Sequence, residues 1–196
     1  MPKLIDHQTH KELLAEAVWA VIVDDGVGAV SIRAVASRAN VAVGSLRYLF
    51  PTRAELVAFA GELVLRRAAE RIATVPLGTD RVTYALDVLR ELLPLTPGTR
   101  AEMMVNLALI AETPAIPVLA SIRDRTLGAI YHLCRRLVTL AHPDMPDQAA
   151  DLAATRLAAL TDGLALRLLA APDSATAPAQ ALVLLRAELT CPRPAT

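Results

Sequence analysis

Apolar residues recur at helical spacing through most of this chain, and proline or glycine interrupts the pattern at intervals. The 196 residues include 13 prolines and 8 glycines, and the stretches between them are rich in alanine, leucine, arginine and glutamate. These four residue types lose the least free energy on entering a helix, and aromatic residues make up only 3% of the chain. The pattern predicts an all-α protein with about nine helices.

In the last two thirds of the chain, prolines set most of the predicted helix ends, because proline cannot continue a helix. Helices are predicted over residues 80–93, 99–112, 116–141, 147–171 and 178–189. The prolines that follow the first four of them are Pro94, Pro114, Pro143 and Pro172. Helices of this length and order indicate an irregular helical bundle.

Composition and hydropathy exclude several classes of protein. With 54% hydrophobic residues and a mean hydropathy of +0.42, the chain is too apolar to be disordered. It has no run of 18 apolar residues, so we expect no membrane-spanning segment and no membrane partner. Its two cysteines, Cys134 and Cys191, stand far apart and outside any metal-ligand spacing. We therefore expect a cytoplasmic protein with no disulfide, metal or cofactor.

The neutral total charge conceals one basic segment. Residues 26–54 hold four arginines and no acidic residue, which is a net charge of +4 in a chain whose total is zero. A short basic segment on a mildly acidic protein favours an anionic partner that contacts this segment. A solvated basic surface explains the same run of residues, so the order of the surrounding helices has to decide between the two.

The helices around the basic segment are short and closely spaced. A first amphipathic helix is predicted from Thr9 to Asp24, and Ser31 caps a second, short helix. Asn40, a residue type that tolerates a positive φ angle, interrupts the pattern before a third helix over residues 42–49. Two short helices joined by such a turn form a helix-turn-helix, which places its second helix in the major groove of DNA.

Both flanks of this motif carry a signal. After it, Thr52 occupies a cap position and Glu55 follows three residues later, so the two form a capping box at the start of a fourth helix. Before it, the terminal residues Lys3, His7, His10 and Lys11 either fray or reach the DNA backbone or minor groove. We place the domain boundary at the capping box, with a helix-turn-helix domain over residues 1–51 and a second domain over residues 52–196.

Residues 31–56 resemble the DNA-binding domain of the TetR family of transcriptional repressors. The family signature has the form A-G-V-S-x-G-T-L-Y-x-H-F-x-S-K-x-x-L, and residues 39–56 of this chain read ANVAVGSLRYLFPTRAEL. The valine, glycine, leucine, phenylalanine and cationic positions match. Asn40, Arg47 and Leu49 replace the glycine, tyrosine and histidine of the signature. The resemblance implies a helix-turn-helix that binds a double-stranded DNA operator, and the replacements leave its base preference open.

The predicted DNA contacts follow from this placement of the recognition helix. Arg47 is the expected base reader, because a guanidinium binds O6 and N7 of guanine bidentately. Val43 offers an apolar surface to a thymine methyl group, and Gly44 lets the backbone approach the duplex closely. Arg33 matches a position that reads bases or phosphate in the family. The expected phosphate ligands are Ser31, Ser45, Tyr48 and Arg53.

Several of these residues have a structural alternative. Ser31 caps its helix whether or not it binds phosphate, and Tyr48 has the alternative of packing in the core. Val43 also has the alternative of packing in the core. Gly44 has the alternative of only easing the start of a helix. Arg38, the remaining arginine of the basic segment, is expected to be a surface residue without a role in binding.

The last two predicted helices are apolar on more than one face, so they need burial on two sides. Residues 86–95 and 160–169 resemble the C-terminal domain of the BetI-like branch of TetR regulators. This family pairs its last two helices with those of a second subunit in a four-helix dimer contact. The alternative is the fully buried central helix of a monomer. The predicted homodimer contacts are Leu157, Thr161, Leu164, Ala165, Leu168, Leu182 and Leu185.

The same resemblance implies a pocket for a small-molecule effector in the C-terminal domain. Methionine and leucine side chains make an adaptable apolar wall, and a few polar groups fix the orientation of a ligand. Core packing explains the methionines equally well. The predicted contacts are Met103, Asn106, Leu107, Ile110 and Tyr131.

Taken together, the sequence favours a ligand-responsive, dimeric DNA-binding regulator, expected to be a repressor released by its effector. A helical enzyme is not expected, because the chain lacks a phosphate loop, a zinc-protease motif and a nucleophile elbow. The alternative is a helical protein-interaction module without sequence-specific DNA binding.

Overall fold

The chain is all-helical. The computed structural model describes residues 2–191, with side chains from residue 10 onward. Across that range nine α-helices and the 3-10 turn Val27–Ala29 form the regular secondary structure, and there is no strand, which confirms the predicted fold class. The helices are α1 (Pro2–Asp25), α2 (Ile32–Arg38), α3 (Val43–Leu49), α4 (Arg53–Thr74), α5 (Arg81–Arg90), α6 (Pro97–Glu112), α7 (Val118–Ala141), α8 (Asp147–Ala170) and α9 (Ala177–Thr190).

The first helix is longer than the sequence pattern indicated. It begins at Pro2 rather than at Thr9, and proline suits the first position of a helix because its fixed φ angle is already helical and its missing amide is not needed there. The side chains of Lys3, His7 and Thr9, including the predicted cap, lie outside the described residues. Those of His10 and Lys11 are described, and Nζ of Lys11 lies 5.7 Å from the centroid of the Phe50 ring; their contact with DNA stays a prediction.

Several other helix ends differ from the prediction by one to three residues, such as the start of α7 at Val118 rather than at residue 116, and two of the differences have clear local reasons. Helix α5 ends at Arg90 rather than at residue 93, because residues 91–93 close a tighter turn in which the amide of Leu93 donates to the carbonyl of Arg90 at 3.1 Å. Helix α6 begins at Pro97, two residues early. The hydroxyl of Thr96 accepts the amide of Thr99 at 3.1 Å, so Thr96 is the capping residue and Thr99 lies inside the helix.

The chain forms two compact units, and the first comprises Met1–Arg67 and Ala101–Asp124. Its core gathers buried side chains from α1, α2, α3, α4 and the ends of α6 and α7. Trp19 of α1 is buried there, and its indole Nε1 donates to the carbonyl oxygen of Ala60 at 2.9 Å. Helices α2 and α3 together bury only Val35, Ala36 and Leu46. The helix-turn-helix is therefore held on this core by few side chains.

The second unit comprises Ala68–Arg100 and Arg125–Thr196. Helix α9 packs against α5 and α8, and polar contacts join its C-terminal part to its neighbours. Nε2 of His142 lies 2.6 Å from the carbonyl oxygen of Leu189, and Nε of Arg156 donates to Glu188 at 3.2 Å. Asp80 caps α5 by accepting the amides of Val82 and Thr83.

The two cysteines differ in their surroundings, and we expect them to differ in reactivity. Burial, with a smaller effect of the nearby Asp162 carboxylate, raises the pKa of the Cys134 thiol to about 12, whereas Cys191 is exposed. Only the thiolate form of a cysteine reacts with an alkylating agent. Raising the pKa of Cys134 from 9.0 to about 12 lowers the fraction of this residue that is present as thiolate about a thousandfold. At pH 8 iodoacetamide should label Cys191 alone in peptide maps, and C191S should remain unlabelled. Labelling of Cys134 in the folded protein at a comparable rate would contradict this burial.

Candidate nucleic-acid interface

The turn between α2 and α3 has the geometry that a helix-turn-helix requires. Oγ of Ser31 accepts the amide of Ala34 at 3.1 Å and so caps α2, as predicted. Asn40 adopts a φ angle of 54°, in the left-handed region that asparagine tolerates better than most residues. The amide of Val41 then donates to the carbonyl of Ala36 at 2.9 Å, which closes the turn before α3 begins at Val43.

Helix α3 exposes nearly all of the side chains that were predicted to meet DNA. Leu46 is its one buried residue, whereas Val43, Ser45, Arg47 and Tyr48 are exposed. The Tyr48 side chain is 84% exposed, so its alternative role in the core is excluded. Gly44 is exposed as well, and a β-carbon added to it would meet no atom within 4 Å. Helix α3 thus exposes to solvent the polar side chains of Ser45, Arg47 and Tyr48 and a small apolar patch at Val43 and Gly44.

The four arginines of the basic segment fall into three environments. Arg38 donates to Asp24 at 2.6 Å and lies 3.5 Å from Asp25, and these carboxylates hold the pKa of its guanidinium above the ordinary value. It is a paired surface residue, as expected. Arg33 and Arg47 are exposed, and no carboxylate among the described residues lies within ion-pair distance of either. These two cations are available to an anionic partner.

Arg53 has a different environment from the other three. As the first residue of α4 it turns back toward the 3-10 turn, where Nε donates to the carbonyl of Val30 at 2.8 Å and Nη2 to that of Val27 at 2.9 Å. Glu112, at the end of α6, lies 4.0 Å from the same Nη2. Its predicted role as a phosphate ligand stays a prediction. Sequence reasoning missed these internal contacts, because no local signal marks a carbonyl more than twenty residues away.

The predicted effector contacts lie in two different units. In the first unit, Met103, Asn106 and Ile110 of α6 are half-buried and Leu107 is exposed. In the second unit, the hydroxyl of Tyr131 on α7 hydrogen-bonds the carboxylate of Asp151 on α8. Partial burial, and then that carboxylate, raise the pKa of Tyr131. Binding of a ligand by these residues stays a prediction.

The predicted dimer contacts are mostly inside a single chain. Leu182 is half-buried, and the other six, which are Leu157, Thr161, Leu164, Ala165, Leu168 and Leu185, are buried in the second unit. A side chain that is already buried has little area left to give to a partner. The opposite side of α8 is exposed and carries Ala159, Gly163, Leu166 and Ala170 at spacings of four, three and four residues. This spacing is a helical stripe, a signal already present in the sequence.

A concavity lies beside this exposed stripe, in the second unit. It has a volume of about 680 Å³ and is lined mainly by small and apolar side chains of α8 and α9, with Arg167, Ser174 and Gln180 as its polar members. Leu184 of α9, which is one of the lining residues, and its sequence neighbour Val183 are both exposed. The surface is apolar enough to favour burial against another protein.

None of the described helices combines the length and the apolar character needed to span a bilayer. Among the described residues, no three metal-ligating side chains come together in one group.

Comparison with protein families matches both parts of the chain. Residues 14–59 match a family described as bacterial regulatory proteins, tetR family. Residues 83–190 match a family described as BetI-type transcriptional repressor, C-terminal. The helix-turn-helix described above lies within the first match, and α8 and α9 lie within the second.

Individual proteins resemble the chain over most of its length. It is 35% identical over 179 residues to the HTH-type transcriptional regulator PksA of Bacillus subtilis (strain 168), which covers 88% of this chain and 84% of PksA. A transcriptional regulator from Rhodococcus sp. Rha1 is 28% identical, with a TM-score of 0.79 over 91% of this chain and 93% of its own. A protein from Saccharomonospora viridis, solved in complex with choline, shares the fold at 23% identity, with a TM-score of 0.73 over 91% of this chain and 94% of its own. PksA and the Rhodococcus protein are transcriptional regulators, not enzymes.

Proposed function

Because this chain belongs to the TetR family of DNA-binding transcriptional regulators, we propose that it is a repressor that binds a palindromic operator as a homodimer and is released by a small-molecule effector. Residues 1–51 form the DNA-binding domain of this proposal, and residues 52–196 form the domain for effector binding and dimerisation. The protein acts in the cytoplasm, where operators are found. The observation that carries the proposal is the exposed face of α3, where Arg47 has no carboxylate of the described residues within ion-pair distance.

In the proposed complex, α3 lies in the major groove and Arg47 reads a base. Arg47 is exposed and free of carboxylates among the described residues, so binding DNA breaks no ion pair. A guanidinium that binds O6 and N7 of guanine discriminates by about 1–3 kcal/mol against other bases. Val43 faces a thymine methyl group, and Gly44 lets the backbone come close. The proposed phosphate ligands on the exposed surface are Ser31, Arg33, Ser45 and Tyr48.

The proposed dimer pairs the exposed stripe of α8 with a second copy of the chain. Small residues at Ala159, Gly163 and Ala170 allow a helix to approach closely, and the exposed Leu166 and Leu184 supply apolar area beside them. A twofold dimer places two recognition helices on half-sites that are a whole number of turns apart, at about 34 Å per turn. This symmetry is the reason for expecting a palindrome.

Release by an effector follows from linkage. An effector lowers operator affinity only if it binds the DNA-free conformation more tightly than the DNA-bound one, and DNA then lowers effector affinity by the same factor. The residues Met103, Asn106, Leu107 and Ile110 of α6 are the proposed effector contacts in the first unit.

Selection of binding sites from random double-stranded DNA tests the base-reading role of Arg47. We expect the wild type to enrich a palindrome. Arg47→Ala should relax one symmetric position of it and weaken the selected site by about 1–3 kcal/mol per half-site, because one bidentate contact is lost. The readout is sequencing of the selected pools, followed by titration of the winning duplex at several salt concentrations.

Arg38→Ala is the matched control. It removes the same charge from the same basic segment, but its guanidinium is paired with Asp24 and Asp25. It should keep the wild-type sequence preference. If neither the wild type nor the variants enrich a sequence, the chain is not a site-specific regulator and the interaction-module alternative replaces the proposal. If Arg38→Ala and Arg47→Ala relax the same position equally, Arg47 is not a base reader.

A further inference from the structure

Arg53 holds the loop of residues 26–30, which leads from α1 into the helix-turn-helix. Its Nε and Nη2 atoms donate to the carbonyls of Val30 and Val27 at 2.8 and 2.9 Å, so one planar group spans both ends of the loop. Both contacts are charge-assisted hydrogen bonds, which are stronger than those between neutral groups. The side chain is about one-third exposed, at 34%, which limits screening by water. The loop is thereby fixed to the start of α4.

The position of this loop determines where α2 begins. Val30 is buried, and the next residue, Ser31, is the cap of α2. Gly26, at the other end of the loop, has a φ angle of 83°, which glycine adopts without the steric cost that other residues meet. Helix α2 packs on α3, so a shift of the loop is passed on to the recognition helix.

Glu112 adds a contact from a helix outside the motif. It is the last residue of α6, and its Oε2 atom lies 4.0 Å from Nη2 of Arg53. Within this unit α6 and α4 also approach closely at Gly61, where an added β-carbon would lie 2.9 Å from Cδ1 of Leu109. Leu109, one turn before Glu112, therefore lies close to the backbone of α4, and Glu112 can hold the guanidinium in place.

We propose that Arg53 acts as a positioning residue for the recognition helix rather than as a phosphate ligand, and that Glu112 strengthens operator binding by orienting it. This inference rests on the proposed function. It assigns a role in DNA affinity to an acidic residue of α6, whose charge by itself repels DNA.

The two roles of Arg53 predict different results for conservative variants. A phosphate ligand tolerates Arg53→Lys, because lysine binds phosphate as a point charge, whereas a guanidinium that spans two carbonyls has no substitute in lysine. We expect both Arg53→Lys and Arg53→Gln to weaken the selected operator about tenfold, and Arg53→Lys, which keeps the charge, to leave the affinity for a scrambled duplex unchanged. Glu112→Gln should weaken the operator about threefold, although removal of a negative charge alone would tighten DNA binding.

The experiment is a fluorescence anisotropy titration of the full-length chain with both duplexes at several salt concentrations. Loss of one phosphate contact lowers the slope of log affinity against log salt by about 1, whereas loss of positioning leaves it unchanged. The double variant Arg53→Gln/Glu112→Gln should be no weaker than Arg53→Gln alone, because Glu112 acts through Arg53. Circular dichroism verifies the fold of each variant. Amide hydrogen exchange of residues 27–31 should be faster in Glu112→Gln than in the wild type, although this variant still contains the Arg53 guanidinium.

Three results would overturn the inference while leaving the proposed function intact. They are a lysine variant that binds the operator as tightly as the wild type, a salt slope that falls by about 1 in Arg53→Gln, and a Glu112→Gln variant that binds as tightly as or more tightly than the wild type. A wild type that prefers no operator over the scrambled duplex overturns the proposed function instead.

Discussion

Leu46→Ala is expected to lower the free energy of unfolding of the first unit by about 2–5 kcal/mol. Helix α3 has seven residues, too few to form a stable helix without tertiary contacts. Leu46 is 0% exposed and is the one buried side chain of α3, so it anchors the recognition helix to the core. Its truncation leaves a cavity in the core that it shares with residues such as Val35, Phe50 and Leu56.

The measurement is a urea titration followed by tryptophan fluorescence. Trp19 is the one tryptophan of the chain and is buried in the same core as Leu46, so its emission reports on the first unit. Tyr48→Ala is the matched control, because Tyr48 lies two residues further along α3 but is exposed. It should change the unfolding free energy by less than about 0.5 kcal/mol. Equal midpoints for Leu46→Ala and the wild type would show that α3 does not depend on this anchor.

The parts of the fold that depend on neighbouring residues could be predicted from the sequence. Ser31 caps α2, Asn40 takes the positive φ angle of the turn, and the hydroxyl of Thr52 accepts the amide of Glu55 at 3.1 Å. Each of these features is settled within a few residues by sterics and by one hydrogen bond. The recognition helix could be predicted for the same reason, because it lies between two local signals.

Contacts between residues that are far apart in the sequence could not be predicted in this way. Arg53 looks like any other cation of the basic segment, and its position in the family signature favours phosphate. Its carbonyl partners come from Val27 and Val30, and Glu112 lies 59 positions further along the chain. Nothing within a helical turn of Arg53 marks these partners, so the sequence alone gave no basis for a positioning role.

The two apolar stripes of α8 show a second limit. Helical spacing revealed that this helix is apolar on more than one side, and Leu157, Thr161 and Leu164 were assigned to the dimer. In the structure these three are buried within the protomer, whereas Leu166 lies on the exposed side. Periodicity identifies the stripes but does not say which of them faces the chain's own core, because both are compatible with the same helix.

Leu166→Glu is expected to convert the proposed dimer into a monomer. The Leu166 side chain is 54% exposed in a single chain, so its replacement costs the protomer little, but a carboxylate in an apolar contact between two copies is left unpaired and desolvated. The mass in solution should fall from twice the chain mass to 20.9 kDa by light scattering or sedimentation. Operator affinity should fall at least about a hundredfold, because a monomer contacts one half-site and loses the effective concentration of the second.

Two control variants separate the interface from the core. Leu13 of α1 is 57% exposed, so Leu13→Glu introduces the same charge at a similar exposure and should leave the mass unchanged. Leu185 is 0% exposed, so Leu185→Ala should lower the unfolding free energy by about 2–5 kcal/mol even in the monomeric Leu166→Glu background. A Leu166→Glu protein that keeps twice the chain mass would place the dimer contact elsewhere. A wild type of 20.9 kDa at micromolar concentration would remove the dimer from the proposed function, and with it the reason for a palindromic operator.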